Sequence, residues 1–147
     1  MKITLPKVLL FVGLLWLNLT SETAANELVS DAPENAEVYF ITPQDGQTLK
    51  SPFKVVFGLK NMGVAPAGVD KENTGHHHLL IDLEQLPNLT LPLPSTDQVR
   101  HFGGGQTETE ITLPAGKHSL QLLLGNYLHV PHKRPVISNK IEIIVEE

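Results

Sequence analysis

The residues of this chain that are best suited to chemistry are its histidines. Seven are present, and all of them fall within residues 76–132. Three of them are consecutive, at His76, His77 and His78. Imidazole is the most common metal ligand among protein side chains. The crowding of histidines into one part of the chain, with glycine or proline beside several of them, predicts that loops bring them together at one site.

The histidine triplet opens a segment, residues 76–83, that has the composition of a β-strand. Because side chains alternate across a strand, His77 is expected on the core face, and His76 and His78 on an exposed face about 7 Å apart. Two imidazoles at that spacing can share one ion. Asp82 is on the same face and is expected to act as a ligand or to orient one ring.

The other histidines are expected to approach this pair from separate segments. His118 begins a row of leucines at the edge of the core, and His101 opens a glycine-rich loop. His129 and His132 flank a Val-Pro pair that holds their spacing stiffly. The predicted metal ligands are therefore His76, His78, His101, His118, His129, His132 and Asp82.

The available ligand types restrict the metal. The chain has no cysteine and two methionines, which excludes disulfides, thiolate zinc sites, blue-copper sites and iron–sulfur clusters. Imidazole with an optional carboxylate suits zinc, copper(II) or nickel, and zinc and copper(II) are taken as the leading candidates. The sequence therefore predicts zinc or copper(II) as the bound ion.

The charge of the chain restricts its partners. It has 147 residues with 11 basic and 16 acidic side chains, a formal net charge of -5. The basic residues are scattered, so no stripe is available to follow nucleic-acid phosphates. We expect no nucleic-acid partner and one soluble domain.

The first residues have the pattern of a signal peptide. Lys2 and Lys7 precede an apolar run over residues 8–19, and small residues follow at 23–25. The run is shorter than the roughly 18–20 residues of a membrane span, so we expect cleavage before Asn26 and no membrane span afterwards. A flexible leader is predicted over residues 26–36.

From residue 37 to residue 147 the sequence is typical of an all-β domain. Short alternating segments are separated by Pro, Gly and Asn clusters, and apolar residues do not recur at helical spacing. The pattern favours an immunoglobulin-like antiparallel β-sandwich of about six to eight strands. Strands are expected at residues 38–41, 53–59, 76–83, 107–113, 117–124 and 139–145. The predicted core residues are Phe53, Val55, Phe57, Leu79, Ile81, Ile111, Leu120, Leu122, Ile141 and Ile143.

Five motifs in a fixed order resemble one family. They are Gly-Val-Ala-Pro-Ala-Gly at 63–68, Gly-His-His-His-Leu-Leu-Ile-Asp at 75–82, His-Phe-Gly-Gly-Gly-Gln-Thr-Glu at 101–108, Leu-Pro-Ala-Gly-Lys-His at 113–118, and Leu-Leu-Leu-Gly with Leu-His-Val-Pro-His over 122–132. This set is similar to the bacterial exported family called domain of unknown function 4399. The resemblance implies a periplasmic or secreted location in a bacterium, and it implies no activity.

The function must therefore be argued from the residues. The first hypothesis is a small exported binding protein whose histidine-rich site holds zinc or copper(II). The alternative is a periplasmic module that recognises a protein, peptidoglycan or small ligand without a metal. An enzyme is less favoured, because neither a Gly-x-Ser-x-Gly nor a His-Glu-x-x-His sequence is present.

Overall fold

The computed structural model describes residues 28–147, and all regular structure in that range is β-strand. The all-β prediction is therefore confirmed, whereas the predicted signal peptide, residues 1–25, lies outside the described residues. None of the described residues forms a helix of the length and apolarity needed to cross a membrane. The strands are β1 (Glu37–Thr42), β2 (Thr48–Lys50), β3 (Phe53–Lys60), β4 (Gly63–Val64), β5 (Thr74–Ile81), β6 (Val99–His101), β7 (Glu108–Ile111), β8 (Gly116–Gly125) and β9 (Ile141–Glu146).

All six strands predicted from alternation are present, as β1, β3, β5, β7, β8 and β9. The three further strands, β2, β4 and β6, have only two or three residues each. A segment of that length is too short to show a period-2 pattern. Strand β4 lies within residues 61–74, a segment in which Gly63, Pro66 and Gly68 favour a loop.

The strands form two sheets. One has the order β1-β3-β7, and the other has the order β2-β9-β8-β5-β4, with β6 also paired to β5. Strand β8 occupies one edge of β5, while β4 and β6 share the other edge at different positions along it. The pairs β2–β9 and β4–β5 are parallel, so the prediction of a purely antiparallel arrangement is wrong at these two short strands.

Apolar side chains from both sheets meet in one main core. All ten predicted core residues belong to it and are at most 8% exposed. These predictions are confirmed because each residue lies on the inward row of an alternating strand, where burial of the apolar side chain stabilises the fold.

A second apolar cluster covers the opposite face of β5 and β8. It contains Leu80, Leu93, Val99 and Leu123. Both faces of β5 are therefore buried, and the expectation that one face is exposed to solvent is wrong. The cover comes from the connection after β5 and from β6, which the alternation of β5 alone cannot reveal.

The alternation of β5 ends at Asp82, which has a left-handed backbone with φ 51°. Strict alternation would put Leu83 on the core face with Leu79 and Ile81, but Leu83 packs against the second cluster instead. The left-handed residue turns the chain, so that the period-2 pattern no longer assigns the residues that follow it.

The described part of the predicted leader lies against the rest of the fold. Ala32 and Ala36 pack against the main core. The Lys133 amide donates to the Ser30 carbonyl at 2.9 Å, and the Asn61 side chain donates to the Asn35 carbonyl at 2.8 Å. The two hydrogen bonds use backbone carbonyls, so the amino-acid sequence gives no signal for them.

Candidate metal centre

Two adjacent strands bring three histidines together. His76 and His78 lie on the same face of β5, and His101 at the end of β6 is the register partner of His78. The ring centroids are 4.9 Å apart for His76 and His78, 5.0 Å for His76 and His101, and 5.2 Å for His78 and His101. The expected convergence of these three histidines is therefore present in the fold.

The spacing of the ring nitrogens is suited to a common ion. One nitrogen from each of His76, His78 and His101 can be chosen so that all three lie within 4.8 Å of one another. A point equidistant from three atoms spaced 4.8 Å apart is about 2.8 Å from each, so each needs to approach by about 0.7 Å to form a Zn–N bond of about 2.0–2.1 Å. Small ring movements therefore suffice.

A fourth histidine, His129, lies beside the group of His76, His78 and His101, whose nitrogens can be chosen within 4.8 Å of one another. Its ring centroid lies 4.6 Å from that of His101, 5.1 Å from that of His76 and 6.3 Å from that of His78. His129 has a left-handed backbone with φ 67°, a conformation that costs a non-glycine residue roughly 1–2 kcal/mol. Such strain persists where the surroundings fix it, often at functional sites.

The turn that carries His129 is held by Asn126, a residue that the sequence reasoning missed. The Asn126 side-chain oxygen accepts hydrogen bonds from the amides of Leu128 at 2.9 Å and Val130 at 3.0 Å. The Asn126 carbonyl also accepts from the His129 amide at 2.9 Å. Asparagine commonly bonds to the backbone two residues ahead, and that tendency is the only signal in the sequence for this role.

Glycines allow the histidine rings to pack closely against the backbone. A Cβ atom on Gly125 would lie 2.8 Å from Cε1 of His78 and 3.2 Å from the backbone of His129. A Cβ atom on Gly103 would overlap the ring of His101. Gly125 and Gly103 therefore make room for the rings of His78 and His101.

The rings of His76 and His78 are fully buried. Both nitrogens of each ring, together with Nε2 of His101, have no hydrogen-bond partner among the described residues. Each unsatisfied buried polar atom costs about 1–3 kcal/mol. An ion bound between the rings would supply one partner for each of the three, so the donor set fits a metal.

The same burial keeps these imidazoles neutral. Burial, followed by the charges of the neighbouring His101 and His129, lowers the pKa of His76 to about 4. Burial, followed by the charges of neighbouring histidines, lowers the pKa of His78 to about 3. Burial and His129 also lower the pKa of His101. Neutral imidazole is the form that binds a metal. Near pH 7 these rings therefore need not lose a proton before they bind an ion.

His77 and His132 lie outside the ring group. His77 is on the core face, as expected, with its ring 5.0 Å from that of Phe57. His132 is 2% exposed, and its Nε2 lies 3.2 Å from the Thr74 carbonyl. The Nε2 atom of His132 therefore contacts the start of β5 and does not face the other histidine rings.

Asp82 and His118 form a separate pair, and the fold does not bring them to the cluster. Asp82 is four residues beyond His78, about 13 Å along the strand. Its carboxylate contacts His118 Nδ1 at 2.7 Å and accepts from the Ser119 amide at 2.8 Å. These two expected ligands connect the end of β5 to the beginning of β8 instead.

The His118 ring has an acceptor at each nitrogen, since Nε2 lies 2.9 Å from the Pro114 carbonyl. Burial lowers the pKa of His118, but the hydrogen bonds to Asp82 and Pro114 and the charge of Asp82 outweigh it, so the pKa is raised overall. Two acceptors favour the protonated ring, which cannot bind a metal.

Comparison with known proteins agrees with the resemblance seen in the motifs. A family model described as "Domain of unknown function (DUF4399)" matches residues 55–146. No curated protein matches the chain. Among solved structures, the chain is similar to the endo-β-1,4-mannanase from Thermotoga petrophila, with 19% identity, a TM-score of 0.47, and coverage of 78% of this chain and 20% of that chain. The chain thus spans about a fifth of that protein's length.

Proposed function

The chain belongs to the DUF4399 family, and we propose that it is an exported protein that binds zinc or copper(II) through His76, His78, His101 and His129. One observation carries the proposal. One nitrogen from each of His76, His78 and His101 can be chosen so that the three lie within 4.8 Å of one another, and five of the six nitrogens of these rings are buried without a partner among the described residues. Unpaired buried polar atoms are costly, so a cluster of them marks a candidate functional site. The signal-peptide pattern of residues 1–25 supports export.

The arrangement of the four rings favours zinc over copper(II). Five of the six distances between ring centroids are 4.6–5.2 Å, and only that between His78 and His129 is longer, at 6.3 Å. A tetrahedron has six equal separations, whereas a square has two long diagonals. Zinc takes tetrahedral nitrogen sites and copper(II) prefers tetragonal ones. We therefore propose zinc as the preferred ion.

The ligand number favours storage or transfer of the ion over catalysis. A catalytic zinc keeps three protein ligands and an open position for water, whereas a closed site has four protein ligands. With His129 as the fourth ligand, the proposed site is closed. The ion is then held without an exposed coordination position, which suits a protein that carries metal.

We also propose that the two sheets form an immunoglobulin-like β-sandwich that carries this site on one end. Support comes from the main core, to which both sheets contribute inward-facing residues. In this arrangement Asp82 and His118 stabilise the scaffold, and His132 supports the start of β5 beneath the rings. Only the four clustered histidines bind the ion.

The test is calorimetry with zinc and with copper(II) at pH 7.5, on untagged protein that begins at Asn26. Binding should be abolished when His76 and His78 are both changed to alanine. His118→Gln is the matched control, because it removes a histidine outside the cluster, and it should bind as tightly as the parent. In thermal melts, zinc at one hundred times Kd should stabilise the parent by about 2.7 kcal/mol.

Two results would contradict the proposal. One is a parent protein that takes up neither metal at micromolar concentration. The other is a double variant that binds as tightly as the parent. Either result would favour the alternative of a module that recognises its partner without a metal.

A further inference from the structure

Asn126 connects the His129 turn to residues 28–33, which we call the N-terminal segment. The Asn126 side chain is 1% exposed, so its amide must find protein partners or incur the cost of an unsatisfied buried polar group. Its oxygen accepts from two amides of the His129 turn, those of Leu128 and Val130. Both of its acceptor positions are therefore used to hold the turn.

Both donor positions of Asn126 go to the N-terminal segment. Its Nδ2 donates to the Leu28 carbonyl at 2.8 Å and to the Ser30 hydroxyl at 3.0 Å. A side-chain amide has two donors and two acceptor lone pairs. The side chain is therefore saturated, with one half on the His129 turn and the other half on the N-terminal segment.

Further contacts keep the N-terminal segment beside the site loop. The Lys133 amide donates to the Ser30 carbonyl at 2.9 Å, and the Arg134 side chain donates to the Pro33 carbonyl. Ala32 packs against the main core. The segment thus lies along residues 126–134, the part of the chain that carries His129.

We infer that the N-terminal segment is a latch that fixes His129 over the other three rings and sets how tightly the site holds its ion. The inference rests on the proposed function. When the segment leaves, Asn126 loses both hydrogen-bond acceptors, and the left-handed turn at His129 loses its support. The site is then reduced to three histidines with one open position, from which the ion is transferred more readily.

The coupling works in both directions, since a segment that tightens metal binding must itself be held more tightly by the bound metal. The hydrogen bond from the Lys133 amide to Ser30 reports on docking of the segment. Zinc should therefore slow hydrogen exchange at the Lys133 amide of the parent chain.

The experiment measures the zinc Kd by competition with a chromophoric chelator at pH 7.5. The parent begins at Asn26, and the truncated chain begins at Asp31 and lacks both partners of the Asn126 amide. Asn126→Asp keeps the acceptor oxygen for the turn but removes the two donors. We expect both changes to raise the zinc Kd about 10–100-fold, as for residues that orient metal ligands.

Two controls separate a positioning role from general loss of stability. Ser138 is also buried and bonds the Leu122 amide through its hydroxyl, so Ser138→Ala should lower the melting temperature without changing the zinc Kd. In a His129→Ala chain, the truncation should have no further effect on Kd, because the latch acts through His129.

The outcomes are distinct. A parent that binds no zinc contradicts both the proposed function and the latch. A parent that binds zinc, together with a folded truncated chain of the same Kd, contradicts the latch alone. If the truncated chain does not fold, Asn126→Asp and Ser30→Ala decide the matter, and an unchanged Kd in both overturns the inference.

Discussion

His76, His77 and His78 are consecutive in the chain but have two different environments. His77 packs against Phe57 on the core face, which strand alternation predicts. His76 and His78 are equally buried, which alternation does not predict, because their rings lie beside His101 and the His129 turn. Strand alternation can assign a side chain to one face of a strand, but it cannot show what covers that face.

The buried histidines should make the metal-free protein sensitive to acid. In the unfolded chain they bind protons with a pKa of 6.5, whereas in the fold the pKa is about 4 for His76 and about 3 for His78. The unfolded state therefore binds more protons below pH 6.5, so stability falls as the pH drops from 6.5 through about 4. Urea denaturation of apo protein at pH 7.5, 5.5 and 4.5 measures this loss.

The control for acid sensitivity is the variant with both His76 and His78 changed to asparagine, which does not titrate in this range. The loss of stability between pH 7.5 and pH 4.5 should be smaller in that variant than in the parent. An equal loss in the two proteins would show that other groups, such as carboxylates, cause the acid sensitivity.

At the scale of elements, β5 is the strand on which the site depends. Its neighbour β6 supplies His101 but has only three residues, so the sequence predicted a glycine-rich loop there rather than a strand. Its neighbour β8 was predicted almost to its ends, because the row of Leu120, Leu122 and Leu124 alternates clearly. The Asp82–His118 pair joins β5 to β8 at the end away from the cluster, and Gly125 lies at the other end of β8.

The close approach of β8 to the rings predicts the effect of Gly125→Ala. The added methyl would lie 2.8 Å from Cε1 of His78, so the ring must shift and the zinc Kd should rise about 10–100-fold. Gly63→Ala is the control, because Gly63 is exposed in β4 and its added methyl meets a Thr74 methyl at 3.3 Å and the Asn73 carbonyl oxygen at 3.9 Å, but no histidine ring. Competition with a chromophoric chelator measures the zinc Kd of both variants. An unchanged zinc Kd in Gly125→Ala would show that zinc binding does not depend on the position of the His78 ring.

At the scale of the whole molecule, the fold joins histidines that are distant in sequence. The main core could be predicted, because each of its strands alternates and apolar burial dominates the energy of folding. The parallel pairs of β2 and β4 and the docking of the N-terminal segment could not, because they depend on backbone hydrogen bonds that leave no hydrophobic pattern. Export stays a prediction from residues 1–25.

The central claim, that the fold gathers His76, His78, His101 and His129 around one ion, is tested most directly by X-ray absorption at the zinc edge of zinc-loaded protein. The account predicts a shell of four nitrogens at about 2.0–2.1 Å from zinc, with the multiple scattering of at least three imidazole rings. His129→Ala should lose one ring from this shell. A shell made mainly of oxygen atoms, or one with fewer than three imidazoles in the parent, would contradict the account.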